Sequence, residues 1–225
     1  MLPLKRPLLI IFSVLFADQL SKIWIKTHMY LGQEYKVANW FYIHFTENNG
    51  MAFGLELGGD YGKLFLSVFR IIFVSGLAWF LWKMVKEKAG KLYISILSLV
   101  FAGAIGNIID SVFYGVCFST SDFGGVAALF PPEGGYAELL HGKVVDMLYF
   151  PIISGQFPAW LPVWGGESFL FFRPVFNIAD AAISCGVILW IVFQKKIYPE
   201  ESAQVKSEIK SIDIQTESGS EDQQQ

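Results

Sequence analysis

Charge is scarce in this chain. Lys and Arg number 17 and Asp and Glu 20 among 225 residues, so 16% of positions are charged against 53% hydrophobic. Mean hydropathy is +0.44, a balance that excludes an ordinary soluble domain. Histidine is scarcer still. His28, His44 and His141 show no ligand spacing, so no metal site is expected. Only Cys117 and Cys185 are present, one in a loop and one in an apolar run, which implies no disulfide. Neither has a histidine at a spacing suited to thiol catalysis. GxSxG, HExxH and Walker patterns are missing, as is any telling Ser-His pair, and no cofactor is expected. The net charge of −3 rests on acids from Glu200 to Asp222 that outnumber Lys206 and Lys210. Without that segment the chain is only slightly basic, so nucleic acid is not an expected partner. Residues 199–225 are polar and nearly free of aromatics and read as a disordered, acidic cytoplasmic tail.

Long apolar runs are abundant. Four approach the roughly 20 residues needed to span a bilayer, at about 7–25, 64–85, 92–113 and 175–193. The expected fold class is an all-α membrane protein of four transmembrane helices, with a small extracytoplasmic β-rich segment. Residues 1–198 form one domain, with outer loops at 27–63 and 114–174. The first run resembles a signal peptide in position. It lacks a small-x-small cleavage pattern and carries Asp18 and Lys22, so it reads as a retained helix. Lys5 and Arg6, then Lys83, Lys86, Lys88 and Lys91, then Lys195 and Lys196 fall on one side of four crossings. Both termini are therefore expected in the cytoplasm. Lys22, Lys26 and Arg173 run mildly against that assignment.

That topology gathers the polar groups into one layer. Asp18, Lys22, Arg70, Asn107, Asp110, Asn177 and Asp180 all fall in the outer halves of the helices. Asp18 and Lys22 are i,i+4 and suited to an ion pair. Asn107/Asp110 and Asn177/Asp180 are i,i+3 pairs, each sharing a helix face. A carboxylate in mid-membrane costs roughly 2.5–3.5 kcal/mol on insertion scales, so such groups point to function. Helix-helix hydrogen bonds and helix capping are the structural alternatives.

The outer loops add further signals. "WFYIHFTENNGMAFGLEL" alternates Tyr42, His44 and Thr46 before Asn49-Gly50 and reads as a strand or hairpin turning there. "HGKVVDMLYF" sets Asp146 among apolar residues, either buried with a raised pKa or on the wet face of an amphipathic strand. "FPAWLPVWGGESFLFF" carries Trp160 and Trp164 and suits an aromatic belt at the outer leaflet.

Carboxylate is the chemical resource this composition offers. Two aspartates held close share a proton, one serving as base to water and the other as acid. Asp180 with either Asp110 or Asp146 would make such a pair. A small ion-coupled transporter using the outer polar layer is the alternative, although inverted repeats and broken helices are missing. A lipid-binding scaffold is a third.

The blocks "DQLSK" (18–22), "NNGMAFG" (48–54), "GNIIDS" (106–111), "GKVVDM" (142–147) and "FNIAD" (176–180) stand in an order that resembles lipoprotein signal peptidase. This is the type II signal peptidase, an aspartic membrane protease. The resemblance spans about residues 7–195 and implies Asp146 and Asp180 as the catalytic pair. It implies that Asp18, Lys22, Asn48, Gly50, Asn107, Asp110 and Asn177 shape the site and hold substrate. The implied substrate is a diacylglyceryl-modified bacterial prolipoprotein, cut just before the lipidated Cys. Membrane lipid is the other implied partner, and the enzyme would act as a monomer. Its place would be the bacterial cytoplasmic (inner) membrane, multi-pass, with the active site toward the extracytoplasmic face. Three features depart from the family pattern. Ser111 stands where Arg is usual, with Arg70 and Arg173 as substitutes. Met147 stands for an aromatic. The loops 114–141 and 151–174 are longer than usual.

Overall fold

In a computed structural model, residues 4–50, 59–171 and 174–197 are described. Arg173, the stretch 51–54 of the Asn-Gly motif and the tail 199–225 lie outside them. Four helices are long and apolar enough to cross a membrane. They are α1 (Lys5–His28), α2 (Gly59–Lys86), α3 (Lys91–Ile109) and α5 (Ile178–Ile197). Beyond its regular part α3 continues through a π-helical turn, Asp110–Tyr114, into the short α4 (Gly115–Cys117). α3 lies at the centre and packs on α1, α2 and α5.

The burial pattern is inside-out relative to a soluble bundle. Leu8, Phe12, Phe16 and Leu20 of α1, Phe69, Ile72 and Phe73 of α2, and Ile188 and Ile191 of α5 are exposed. Asp18, Lys22 and Lys26 are fully buried. Helices that hide charge and present apolar side chains outward match a hydrocarbon surround, where every polar group needs an internal partner. The α1 charges recur at i, i+4 and i+8 and so form one stripe along the helix.

α3 and α5 approach closely because Gly103 faces the first turn of α5. A methyl group there would overlap the Ala179 carbonyl and stand 2.7 Å from Ile183 Cγ1. Small residues at such crossings permit backbone contact. Gly103→Ala is expected to displace the turn that carries Asp180. It should lower stability by about 1–3 kcal/mol and reduce turnover, read by thermal unfolding and an activity assay in detergent.

A four-stranded antiparallel sheet in the order β1-β2-β3-β6 caps one end of the bundle. Its strands are β1 (Glu34–Ala38), β2 (Phe41–Asn48), β3 (Val144–Tyr149) and β6 (Val175–Phe176). β4 (Ile153–Gln156) and β5 (Ser168–Phe171) form a separate hairpin. Phe45 and Val145 from the sheet pack with Ile25 of α1, with Met29 just after it, and with Tyr114 and Phe118 beyond α3.

Several expectations change. The helices run a few residues past the expected limits at most ends, which shortens the outer loops. The last helix starts at Ile178 rather than near 175, because Val175 and Phe176 pair with β3. Phe41–Asn48 is a strand as expected, but its described neighbours are β1 and β3. A tight turn at Asn39-Trp40 joins it to β1, and whatever Asn49-Gly50 turns into lies in residues 51–58, outside the described ones. Lys26, read as a flanking charge, is interior.

Candidate active site

Asp146 is carried by the centre of β3, where Val144, Val145, Asp146 and Met147 are all buried. This is the apolar setting, not the wet strand face. Its Oδ1 accepts from Asn177 Nδ2 at 2.7 Å and its Oδ2 accepts from Asn48 Nδ2. Burial raises its pKa, and the nearby Asp180 charge raises it further. Asn177, Lys22 and Asn48 pull it back, leaving it at about 7.

Asp180 sits in the first turn of α5, where it forms a capping box. Its backbone N–H donates to Asn177 Oδ1 at 2.9 Å, and its Oδ2 accepts the Asn177 N–H at 3.4 Å. Asn177 is thus the N-cap and Asp180 the returning acid, so the i,i+3 spacing here marks a helix start, not a shared helical face. The other oxygen, Oδ1, accepts from Asn107 Nδ2 at 2.7 Å. Asn177 also gives its side-chain amide to Asn107 Oδ1 at 3.0 Å. One asparagine therefore ties the two aspartates together.

The neighbouring charges are occupied otherwise. Lys22 Nζ makes three contacts, to Asp18 at 2.9 Å, Asp110 at 2.8 Å and Asn107 Oδ1 at 3.0 Å. Three donors saturate an ammonium. The ion pair expected from the Asp18/Lys22 spacing is present, with Asp110 as a third member. Asp18 Oδ1 accepts the Ala179 N–H at 2.9 Å, and Asp110 Oδ2 accepts the Val145 N–H at 3.2 Å. Each of these carboxylates therefore holds the backbone directly before Asp180 or Asp146. This separates Asp110 from Asp146, two carboxylates that residue spacing alone left equivalent. The π-helical turn begins at Asp110, and such turns often occur at functional sites.

Asn48 Oδ1 accepts the Gly50 N–H, closing an Asx turn, and Arg70 Nη2 donates to the Gly50 carbonyl. Gly50 has φ +82°, and a Cβ there would lie 2.5 Å from Arg70 Nη1. Gly50→Ala is therefore strained twice, in backbone and in contact. It should lower activity about tenfold or more by shifting Asn48, read as kcat against the wild type. Ser111 offers no charge in the place of the usual Arg. Its buried hydroxyl donates to the Asn107 carbonyl at 3.0 Å.

Other residues around the site were given no role by sequence pattern. Gln19 donates to Asp110 Oδ1 at 2.9 Å and accepts from Tyr114 Oη at 3.1 Å. Lys26 pairs with Glu47. The i, i+4, i+8 run of Asp18, Lys22 and Lys26 was the available clue. Among the described residues no cluster of three His, Cys, Asp or Glu is set to hold a metal.

The Signal peptidase (SPase) II family profile matches residues 10–195. The lipoprotein signal peptidase of Porphyromonas gingivalis is 57% identical over 184 residues, covering 81% of this chain and 80% of its own. That of Amoebophilus asiaticus is 37% identical over 191 residues, covering 83% and 76%. A bacterial membrane enzyme solved by the in meso method superposes with a TM-score of 0.57 at 27% identity, over 86% of this chain and 90% of that one.

Proposed function

The chain belongs to the signal peptidase II family, and we propose that it removes signal peptides from diacylglyceryl-modified bacterial prolipoproteins. The cut falls just before the lipidated Cys, by water activated between Asp146 and Asp180. One observation carries the assignment. Asn177 binds both aspartates, while Asp18 and Asp110 are engaged with Lys22.

In this mechanism the pair holds one proton and one charge. Asp146, with its raised pKa, carries the proton. Asp180 takes a proton from water as the water oxygen bonds to the scissile carbonyl carbon, and Asp146 protonates the carbonyl oxygen. Asp180 then passes its proton to the amide nitrogen as the C–N bond breaks, and the diol returns a proton to Asp146. Products are a signal-peptide carboxylate and a lipidated Cys with a free amine. Neither a covalent intermediate nor a cofactor enters.

The sign of the pH dependence follows. As pH rises through about 7, Asp146 loses its proton, both carboxylates are charged and the acid is gone. Activity is expected to fall along an alkaline limb near that value, seen in kcat/KM against pH.

Residues 1–198 form the catalytic unit. Both termini lie in the cytoplasm, and the sheet and the aspartates lie toward the extracytoplasmic face of the inner membrane. The lysines and arginines at the opposite end of the helices support that orientation. Water reaches the site from outside while the lipidated Cys stays in its leaflet. The transporter alternative is not favoured by membership of a peptidase family.

The test is cleavage by the detergent-purified protein of one prolipoprotein in two forms, with and without diacylglyceryl on its Cys. Cleavage before the Cys of the lipidated form alone is expected. Equal cutting of both forms, or none of either, would sink the proposal.

A further inference from the structure

The end of β2 is registered separately from the rest of the strand. Tyr42 and Ile43 pair with Tyr149 and Leu148. The pairing then shifts before Thr46, Glu47 and Asn48 meet Asp146, Val145 and Val144. Such a break interrupts the ladder that would carry register forward from the β1–β2 turn. Beyond the break Asn48 stands opposite Val144 at the very end of the strand, where contacts of its neighbours add to the short ladder, and it donates to Asp146.

Adjacent strand residues point to opposite faces, so Glu47 faces away from the aspartates. There it pairs with Lys26 Nζ and accepts from Ser121 Oγ at 2.8 Å. Lys26 Nζ also donates to Ser121 Oγ at 2.7 Å, closing a triangle. Lys26 is 0% and Ser121 6% exposed. The Tyr136 and Phe118 rings lie 4.9 and 5.4 Å from the ammonium, within cation–π range. Ser121 belongs to the long connection after α4, which is bolted in place. Leu31 N–H donates to the Asp122 carbonyl at 2.8 Å and Ala127 N–H to the Lys26 carbonyl at 3.2 Å. Ser121 is not a nucleophile waiting for Lys26, because its hydroxyl donates to the same carboxylate that binds the ammonium.

We propose that Lys26, Glu47 and Ser121 are positioning residues for the peptidase reaction. They lock β2 beyond its break and so set the hydrogen bond from Asn48 to Asp146. The inference rests on the reading of Asp146 and Asp180 as the catalytic pair. It gives the long loop after α4 a catalytic purpose, since that loop brings Ser121.

The experiment measures kcat/KM against pH for the full-length protein in detergent with the lipidated precursor. Thermal unfolding is measured beside it. Asn48→Ala is the reference. It removes a donor that favours charged Asp146, so the alkaline limb should move up by about one pH unit. Ser121→Ala should move it the same way by about half as much, with kcat down roughly tenfold and KM little changed. Ser121→Thr, which keeps the hydroxyl, should restore both. Lys26→Met with Glu47→Leu removes the pair together, avoiding a lone buried charge, and should shift the limb like Ser121→Ala. If Asn48→Ala moves the limb while Ser121→Ala and the double variant change only the unfolding temperature, the cluster merely stabilises and the proposal is wrong. If Asn48→Ala itself leaves the limb in place, the underlying assignment of Asp146 fails instead.

Discussion

Asp180→Asn is expected to lower turnover about 10²–10⁴-fold, the range of a lost acid or base, with little loss of stability. Asn at 180 keeps an oxygen to accept from Asn107 Nδ2. Only the long 3.4 Å contact with the Asn177 N–H then faces a donor instead of an acceptor. Asp146→Asn should abolish activity to the same degree but cost more in folding. Both Asp146 oxygens accept from amide donors, so an Asn side chain must turn its NH2 toward one of them. Neither partner is free to flip, since Asn48 Oδ1 holds Gly50 N–H and Asn177 Oδ1 holds Asp180 N–H. One unsatisfied buried contact costs about 1–3 kcal/mol. The two variants should therefore share an activity defect and differ in unfolding temperature. Substantial cleavage by well-folded Asp180→Asn would remove the aspartate mechanism.

Lys22→Met carries the largest expected effect on folding. Lys22 is fully buried between Asp18 and Asp110, and its loss strands two carboxylates in the interior. Breaking a buried pair costs about 3–5 kcal/mol, against a total stability of about 5–15 kcal/mol for a typical domain. The damage also reaches the site, because Asp18 holds Ala179 N–H and Asp110 holds Val145 N–H. Low folded yield, a sharply lower unfolding temperature and lost activity are expected. Adding Asp110→Asn should recover part of the stability by removing one stranded charge. Unchanged unfolding of Lys22→Met would show that α1 does not organise the site.

Local pattern reached a good part of this architecture. The four runs became four helices, and the i,i+4 spacing of Asp18 and Lys22 became a contact at 2.9 Å. Of the polar groups assigned to one layer, Asp18, Lys22, Asn107, Asp110, Asn177 and Asp180 converge in one hydrogen-bonded set that also takes in Asp146 from β3, while Arg70 binds the Gly50 carbonyl. Where pairing partners lie far away in sequence, pattern failed. Asn177 and Asp180 read as a helical face because nothing nearby shows that Val175 and Phe176 join β3. Lys26 read as a flank because its partners, Glu47 and Ser121, come from β2 and from the connection after α4. Spacing alone left Asp146 and Asp110 equivalent, and only the family resemblance chose between them; β3 places Asp146 beside Asn177, and the π-helical turn after α3 places Asp110 beside Lys22.

The hydrogen bond from Ala179 N–H to Asp18 joins residues 161 positions apart, which bears on how the protein is made. α1 is synthesised first and enters the bilayer long before α3, the sheet or α5 exists. Of its three buried charges, Asp18 and Lys22 neutralise each other within the helix from the moment it forms. Lys26, nearer the helix end, has its positive charge close to the membrane boundary until Glu47 arrives. Insertion thus proceeds with a helix already balanced against itself. The hydrogen-bonded set around Asp146 is complete only when the final span delivers Ala179 and Asp180 to it, so a chain truncated before α5 can be embedded in the membrane without being able to cut.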